Sequence, residues 1–212
     1  MSTAPEISFE RLAARLSAFP AGRRHIVAVA GAPGSGKSTT AERLVDAVNE
    51  GAPGRAALLP MDGYHYDDAV LKDMQRHPWK GAPDTFDVGG LRSVLARLRA
   101  RDEATVAVPV FDRSIEIARA GGRLIPQTAE IIVAEGNYLL LSRAPWDSLA
   151  PFFDLRVLIA VSEDVLRERL GARWVHYGLT PEGIRAKLEE NDLPNGRVVA
   201  AESIGADVIL RT

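Results

Sequence analysis

The stretch HIVAVAGAPGSGKSTTAERLV, residues 25–45, joins an apolar run, a glycine-rich turn and the start of an amphipathic helix. Within it, Gly31, Gly36, Lys37 and Ser38 form the pattern G-x-x-x-x-G-K-S, in the strand-then-helix context that the pattern requires. Glycines allow successive backbone N–H groups to converge on anionic oxygens, and the following helix points its positive dipole end at the same place. Gly31, Ala32, Pro33, Gly34, Ser35, Gly36, Lys37, Ser38 and Thr39 are therefore expected to enclose the phosphates of a nucleoside triphosphate, ATP with Mg²⁺. Lys37 is expected to reach the β- and γ-phosphates and the Ser38 hydroxyl to ligate the metal. A dinucleotide-binding reading fails, because Thr39 stands where a third glycine or alanine is needed.

Outward from this loop, short apolar runs alternate with amphipathic stretches, the pattern of an α/β protein with a mostly parallel sheet. Candidate strands are 25–30, 56–61, 105–110, 131–134, 155–161 and 207–210. Candidate helices cover 6–19, 36–49, 88–100 with Asp87 as cap, 162–177 with Ser162 as cap, and a segment opened by Thr180-Pro181-Glu182. Residues 62–86, rich in Pro, Gly, Asp, His and aromatics, are the least regular part, and a loop of that length is usually functional or mobile. One domain over 1–212 is expected, with a lid at about 163–192.

Ligands of open α/β sheets bind beyond the carboxyl ends of the strands. Asp62 follows one candidate strand and Glu135 ends another. Phosphoryl transfer needs a group that orients or deprotonates the attacking hydroxyl and another that helps to hold the metal. Asp62 is assigned the first task and Glu135 the second, with overlap through Mg²⁺ left open, so that Ser38, Glu135 and Asp62 form the candidate metal set. Late in the chain, Arg169 and Arg173 are one helical turn apart, where guanidinium groups on a mobile helix can neutralise charge on a transferred phosphoryl group. A solvated arginine face is the competing reading. The catalytic set is thus Lys37, Asp62, Arg169 and Arg173.

The net charge of −2 supplies no field for nucleic acid, and zero cysteines exclude disulfides, thiolate zinc sites and cysteine nucleophiles. No run approaches the roughly 18 apolar residues that span a bilayer. A cytoplasmic enzyme without membrane insertion is expected, with a homodimer as one open arrangement. His65, Tyr66, Trp79, Phe86, Asp87, Asp112 and Arg113 have the chemistry to line a pocket for a small hydroxyl-bearing acceptor. Ordinary packing of Trp79 and Phe86, a solvent-facing His65 and capping by Asp87 are equally open. The 191–196 segment, NDLPNG, reads either as a border of the adenine site or as a turn.

GAPGSGKST, MDGY at 61–64, PVFDR at 109–113, EGNY at 135–138, the arginine-bearing lid and Ala206-Asp207 together resemble the uridine kinase, phosphoribulokinase and bacterial pantothenate kinase group of P-loop kinases. MDGYHYDD, GAPDTFDVGGL, VFDRSIEIA, EGNYLLL and RERLGARWVHYG resemble more narrowly the branch labelled fructose-transport-system kinases, over roughly residues 20–210. The resemblance implies the three-layer P-loop NTPase fold: a five-stranded parallel sheet flanked by helices, with a small β-hairpin beside the acceptor, to which 111–125 with its Gly121-Gly122 is assigned. It also implies phosphorylation of a small-molecule hydroxyl of a sugar, nucleoside or related metabolite. In it Asp62 matches the catalytic acid, Glu135 the metal-side acid and Arg113 the acceptor-contacting region. The histidine that uridine kinases carry in the region reading FDRSIEIA is absent, which sets this chain apart from them. From another class, a nucleotide-dependent switch or ATPase partner of a sugar-transport system remains the alternative.

Overall fold

In the computed structural model, which describes residues 4–212, helix α1 (Phe9–Ser17) starts where the Ser8 hydroxyl accepts the Arg11 N–H. Strand β1 (His25–Gly31) follows, buried along its whole length. A strand covered on both faces needs apolar side chains at successive rather than alternate positions, which is why this run lacks a two-residue period. The glycine loop then leads into α2 (Lys37–Gly51), β2 (Ala56–Pro60), α3 (Asp68–Asp73) and α4 (Val88–Ala100). Next come β3 (Thr105–Asp112), β4 (Ile117–Pro126), β5 (Ile131–Gly136) and β6 (Leu155–Ala160). The chain closes with α5 (Glu163–His176), α6 (Pro181–Lys187), a π-helical turn (Leu188–Asp192), α7 (Leu193–Glu202) and β7 (Val208–Arg211).

Five strands form a parallel sheet in the order β2-β5-β1-β6-β7. Register decides what meets at its carboxyl edge. Glu135 stands opposite both Val29 of β1 and Pro60 of β2, so the glycine loop, Glu135 and Asp62 emerge side by side. One face of the sheet packs on α1 and α2 through Leu12, Leu16, Leu44 and Val48. The other packs on α4 and on an aromatic cluster in which the Phe86 ring lies 5.7 Å from both Tyr138 and Trp146. A third small core, Ala32 with Leu166, Leu170, Leu188 and Leu193, seats the lid on the glycine loop.

Residues 105–110 leave the sheet: β3 pairs antiparallel with β4 as a separate two-stranded hairpin. The hairpin therefore spans 105–126 rather than 111–125, its turn lies at 113–116, and Gly121-Gly122 sits inside β4. Burial explains the difference. Val106 and Val108 are buried while Thr105 and Ala107 are exposed, the one-sided alternation of an antiparallel strand. The 62–86 stretch is more ordered than its composition predicts, holding a 3₁₀ turn at Met61–Tyr64, α3 and two further 3₁₀ turns. The 191–196 segment is neither turn nor loop, because the π-helical turn runs directly into α7.

Candidate active site

Backbone geometry builds the floor of the site. Gly34 and Gly36 both have left-handed φ, at 78° and 82°, which turns the loop back on itself as Ser35 N–H bonds the Ala32 carbonyl at 3.0 Å. At Gly34 a side chain is doubly excluded, since a Cβ would lie 2.9 Å from Cγ of Leu170 on the lid. Helix α2 begins at Lys37 without a side-chain cap, so its first N–H groups face the loop and are free to bind anionic oxygens. Lys37 itself is buried against this cradle.

Above the floor, the Ser38 hydroxyl donates to Glu135 Oε2 at 3.0 Å. Burial pushes the Glu135 carboxyl up to about 7, against the opposing pull of Lys37 and with the repulsion of Asp62 added. The buried Glu135 carboxyl and the Ser38 hydroxyl place two hard oxygens side by side. Among the described residues no cluster of three or more His, Cys, Asp or Glu could hold a metal by itself. The donor set thus fits Mg²⁺, which binds one or two protein oxygens and completes its shell with phosphate and water, and does not fit a closed structural metal site.

Asp62 lies beyond the end of β2, and its Oδ2 accepts from Arg113 Nη2 at 2.6 Å. Burial raises its affinity for a proton, but His65, Lys37, Arg113 and Arg173 together outweigh that and hold the carboxyl below the usual range. Burial in turn depresses the basicity of His65, against the pull of the Asp62 carboxylate. Its Nδ1 lies 2.7 Å from the Asp62 carbonyl, an acceptor, so Nδ1 carries the proton. Lys37, Asp62, His65, Arg113 and Arg173 line one cavity of about 120 Å³ between loop, hairpin and lid.

Other expected site residues lie elsewhere. Arg169, one turn from Arg173, is directed to the outer side of the loop, with Nη1 3.5 Å from the Ser35 carbonyl and 3.4 Å from Thr212 Oγ1. Helical neighbours share a side of α5, but Arg173 reaches the Asp62 cavity while Arg169 reaches the Ser35 carbonyl and Thr212. Phe86 is 3% exposed and belongs to the core, and Asp87 caps α4 by accepting the Gly90 N–H at 2.8 Å. Trp79 lies under the Arg76 guanidinium, 4.9 Å from its ring centre, in a neighbouring groove of about 620 Å³. Asp112 serves the hairpin turn through Ser114 and Arg119, and half-buried Tyr66 is tied to Thr85 by its backbone. None of these six lines the Asp62 cavity.

Several groups without an acceptor-side role in the sequence reading do line it. Asn137, two residues past Glu135, is buried, and among the described residues its Oδ1 has no hydrogen-bond partner. Asn191, Asp192 and Asn195 arrive from the π-helical turn and α7, with Asn195 Nδ2 donating to Asn191 Oδ1 at 2.9 Å. Asp192 Oδ2 accepts the Trp174 indole N–H at 2.7 Å, and burial pushes its carboxyl upward. Lys80 and Lys187 bring two more cations. Asn137 was signalled by its position beside a strand-end acid and the 191–196 residues by the adenine-border reading of that segment, whereas Lys80 and Lys187 depend on how the chain folds back.

A glycine loop at a helix start, a strand-end acid pair and a cationic helical lid on a five-stranded parallel sheet define a P-loop phosphotransferase of small molecules. The chain belongs to the Phosphoribulokinase / Uridine kinase family, whose profile matches residues 26–195. It is 35% identical over 194 residues to "Uncharacterized protein YggC" of Escherichia coli, covering 89% of this chain and 78% of that one. It is 30% identical over 196 residues to "Putative uridine kinase C227.14" of Schizosaccharomyces pombe, covering 89% and 83%. Among solved structures, a protein described as a "putative fructose transport system kinase" from Silicibacter sp. TM1040 superimposes with a TM-score of 0.87 at 34% identity, over 96% of this chain and 98% of that one. No helix of the described residues is long and apolar enough to cross a membrane.

Proposed function

We propose that this protein transfers the γ-phosphoryl group of ATP to a hydroxyl of a small metabolite, with Asp62 as the base. One observation carries this reading: the strand-end carboxyl of Asp62 shares a cavity with the phosphate-loop lysine and a lid arginine. The acceptor hydroxyl gives its proton to Asp62 as its oxygen bonds the γ-phosphorus, the bond between that phosphorus and the β–γ bridging oxygen breaks, and ADP leaves. Lys37 and Arg173 stand where negative charge spreads over the transferred group. Ser38 and Glu135 would hold Mg²⁺, which when bound neutralises charge on the β- and γ-phosphates. The lid excludes water by seating Leu170 on Gly34.

The test is an assay of ADP formation with ATP, Mg²⁺ and a panel of sugars, sugar derivatives and nucleosides. Turnover that depends on an added acceptor and is lost in Asp62→Asn supports the kinase. ATP hydrolysis that no acceptor stimulates would replace it with the switch reading.

A further inference from the structure

We propose that the acceptor is a non-aromatic anionic polyol, whose anionic group draws Arg113 off Asp62 and one of whose hydroxyls is bound by Asn137. This rests on the kinase reading above and specifies its substrate class.

The first ground is the occupied base. Arg113 Nη2 sits 2.6 Å from Asp62 Oδ2, one of the two oxygens that could take a hydroxyl's proton. A neutral acceptor entering there would break a charge-assisted bond and leave the guanidinium without a counter-charge. A carboxylate or phosphate on the acceptor offers the guanidinium an equal or better partner, two-pronged in geometry. Arg113 is free to make the exchange: its side chain is 51% exposed, in the turn of the hairpin, while that of Asp62 is 16% exposed.

The second ground is the charge of the lining. Lys37, Lys80, Arg113, Arg173 and Lys187 face three carboxylates, those of Asp62, Glu116 and Asp192. The γ-phosphate accounts for Lys37 and Arg173. Lys80 is held by Asp68 at 2.6 Å. Among the described residues, Lys187 makes no ion pair within 4.0 Å, although its charge acts on the Asp192 carboxyl, and its ammonium lies 5.8 Å from the centre of the Trp174 ring. Arg113 and Lys187 are therefore cations on the acceptor side that an anion can claim.

Two further observations set the rest of the molecule. The cavity's aromatic rings are already covered. Phe111 carries His65 at 4.7 Å and Lys80 at 5.3 Å, and Trp174 carries Lys187 and, at 6.0 Å, Tyr177. A nucleobase stacking on either ring would have to displace these neighbours. Asn137, 8% exposed, presents an Oδ1 that is unpartnered among the described residues. A buried amide oxygen without a donor is costly, and an acceptor hydroxyl would supply one.

The experiment measures kcat and KM of the full chain with aldonates and sugar phosphates of three to six carbons, with the matching neutral aldoses and alditols, and with uridine. We expect at least one anionic arm to exceed its neutral match by about a hundredfold in kcat/KM, the size of a charge-assisted hydrogen bond. Carboxylate and phosphate arms separately identify the anion. Arg113→Gln should erase most of that ratio. Asn137→Ala should raise the acceptor KM about tenfold or more with kcat little changed, as for a group that binds rather than reacts. Unaltered thermal stabilisation by an ATP analogue verifies that each variant is folded with an intact donor site. Preference for a neutral sugar or uridine, or no acceptor-dependent turnover from any anionic arm, overturns the inference. Neutral-acceptor turnover leaves the kinase reading standing, whereas ATP hydrolysis blind to every acceptor removes both.

Discussion

Arg113 and Asp62 are bonded at 2.6 Å although one comes from the turn of the β3–β4 hairpin and the other from the end of β2. The pair closes the cavity from the hairpin side, and its guanidinium is one of the cations that keep Asp62 ionised. Proton affinity at Asp62 therefore rises when Arg113 is drawn away, which is the moment at which a base is needed.

Asp62→Asn should lower kcat by about 10²–10⁴, the usual range for a general base. ATP affinity should change little, because the loop amides and Lys37 are untouched. Single-turnover kinetics alongside calorimetric ATP binding check both halves, and near-normal turnover would remove Asp62 as the base.

Arg173 and Arg169 should separate in kinetics as they do in space. Arg173→Met, which empties a place beside Asp62, should depress kcat by about a hundredfold or more, as for other charge-stabilising groups. Arg169→Met, which loses contacts to the Ser35 carbonyl and Thr212, should raise the KM for ATP with a smaller effect on kcat. Equal kcat losses in both variants would contradict the geometry.

Glu135 should make the nucleotide-free protein less stable as pH rises. Its folded-state affinity for a proton, pushed by burial up to about 7, exceeds that of the unfolded chain, at 4.5. The folded state thus binds more protons between those values, and the stability this supplies at low pH is lost as pH climbs through 7. Urea denaturation without Mg²⁺ should show a decline of about 2–3 kcal/mol across that window from this group. Glu135→Gln should flatten it, and an unchanged slope would assign the decline elsewhere.

Gly34→Ala should disturb the lid and the loop together. The left-handed φ costs a non-glycine residue about 1 kcal/mol, and the new Cβ meets Leu170 Cγ at 2.9 Å. We expect a tenfold or greater loss of ATP affinity by calorimetry, in line with about 1.4 kcal/mol per decade. Leu170→Ala in the same chain should recover part of it by removing the clash.

Arg24 is a purely structural cation. Its buried guanidinium donates to the carbonyls of Leu98, Pro126, Gln127 and Ala129, tying α4 to the segment before β5. Arg24→Met strands those oxygens and should cost about 3 kcal/mol, a fall in Tm of about 6–12 °C for a chain of this size. Calorimetry reads the shift, and kcat at 25 °C should be nearly unchanged.

Most of the donor half was legible in the linear chain because it is local. The glycines, Lys37 and Ser38 lie within eight residues, and strand-end acids are fixed by where apolar runs stop. Phe86 and Asp87 were ambiguous for a local reason as well: an aromatic and a cap residue have the same composition whether they face a ligand or a helix. Burial and the Gly90 contact decide between those readings.

The order of apolar runs, their glycine punctuation and the acids at their ends determined by themselves an α/β sheet with a phosphate loop and two carboxylates at one edge. Only the tertiary structure decided which strands joined that sheet, sending 105–110 into a hairpin because just one of its faces is buried. It also parted Arg169 from Arg173 and brought Asn137, Asp192 and Lys187 from separate segments to one cavity. Such contacts join residues more than a hundred positions apart, as Arg169 and Ser35 are with a separation of 134, and no local pattern records them. They arise when the lid's Leu166 and Leu170 bury themselves on Ala32 of the loop, a packing choice made by the whole fold.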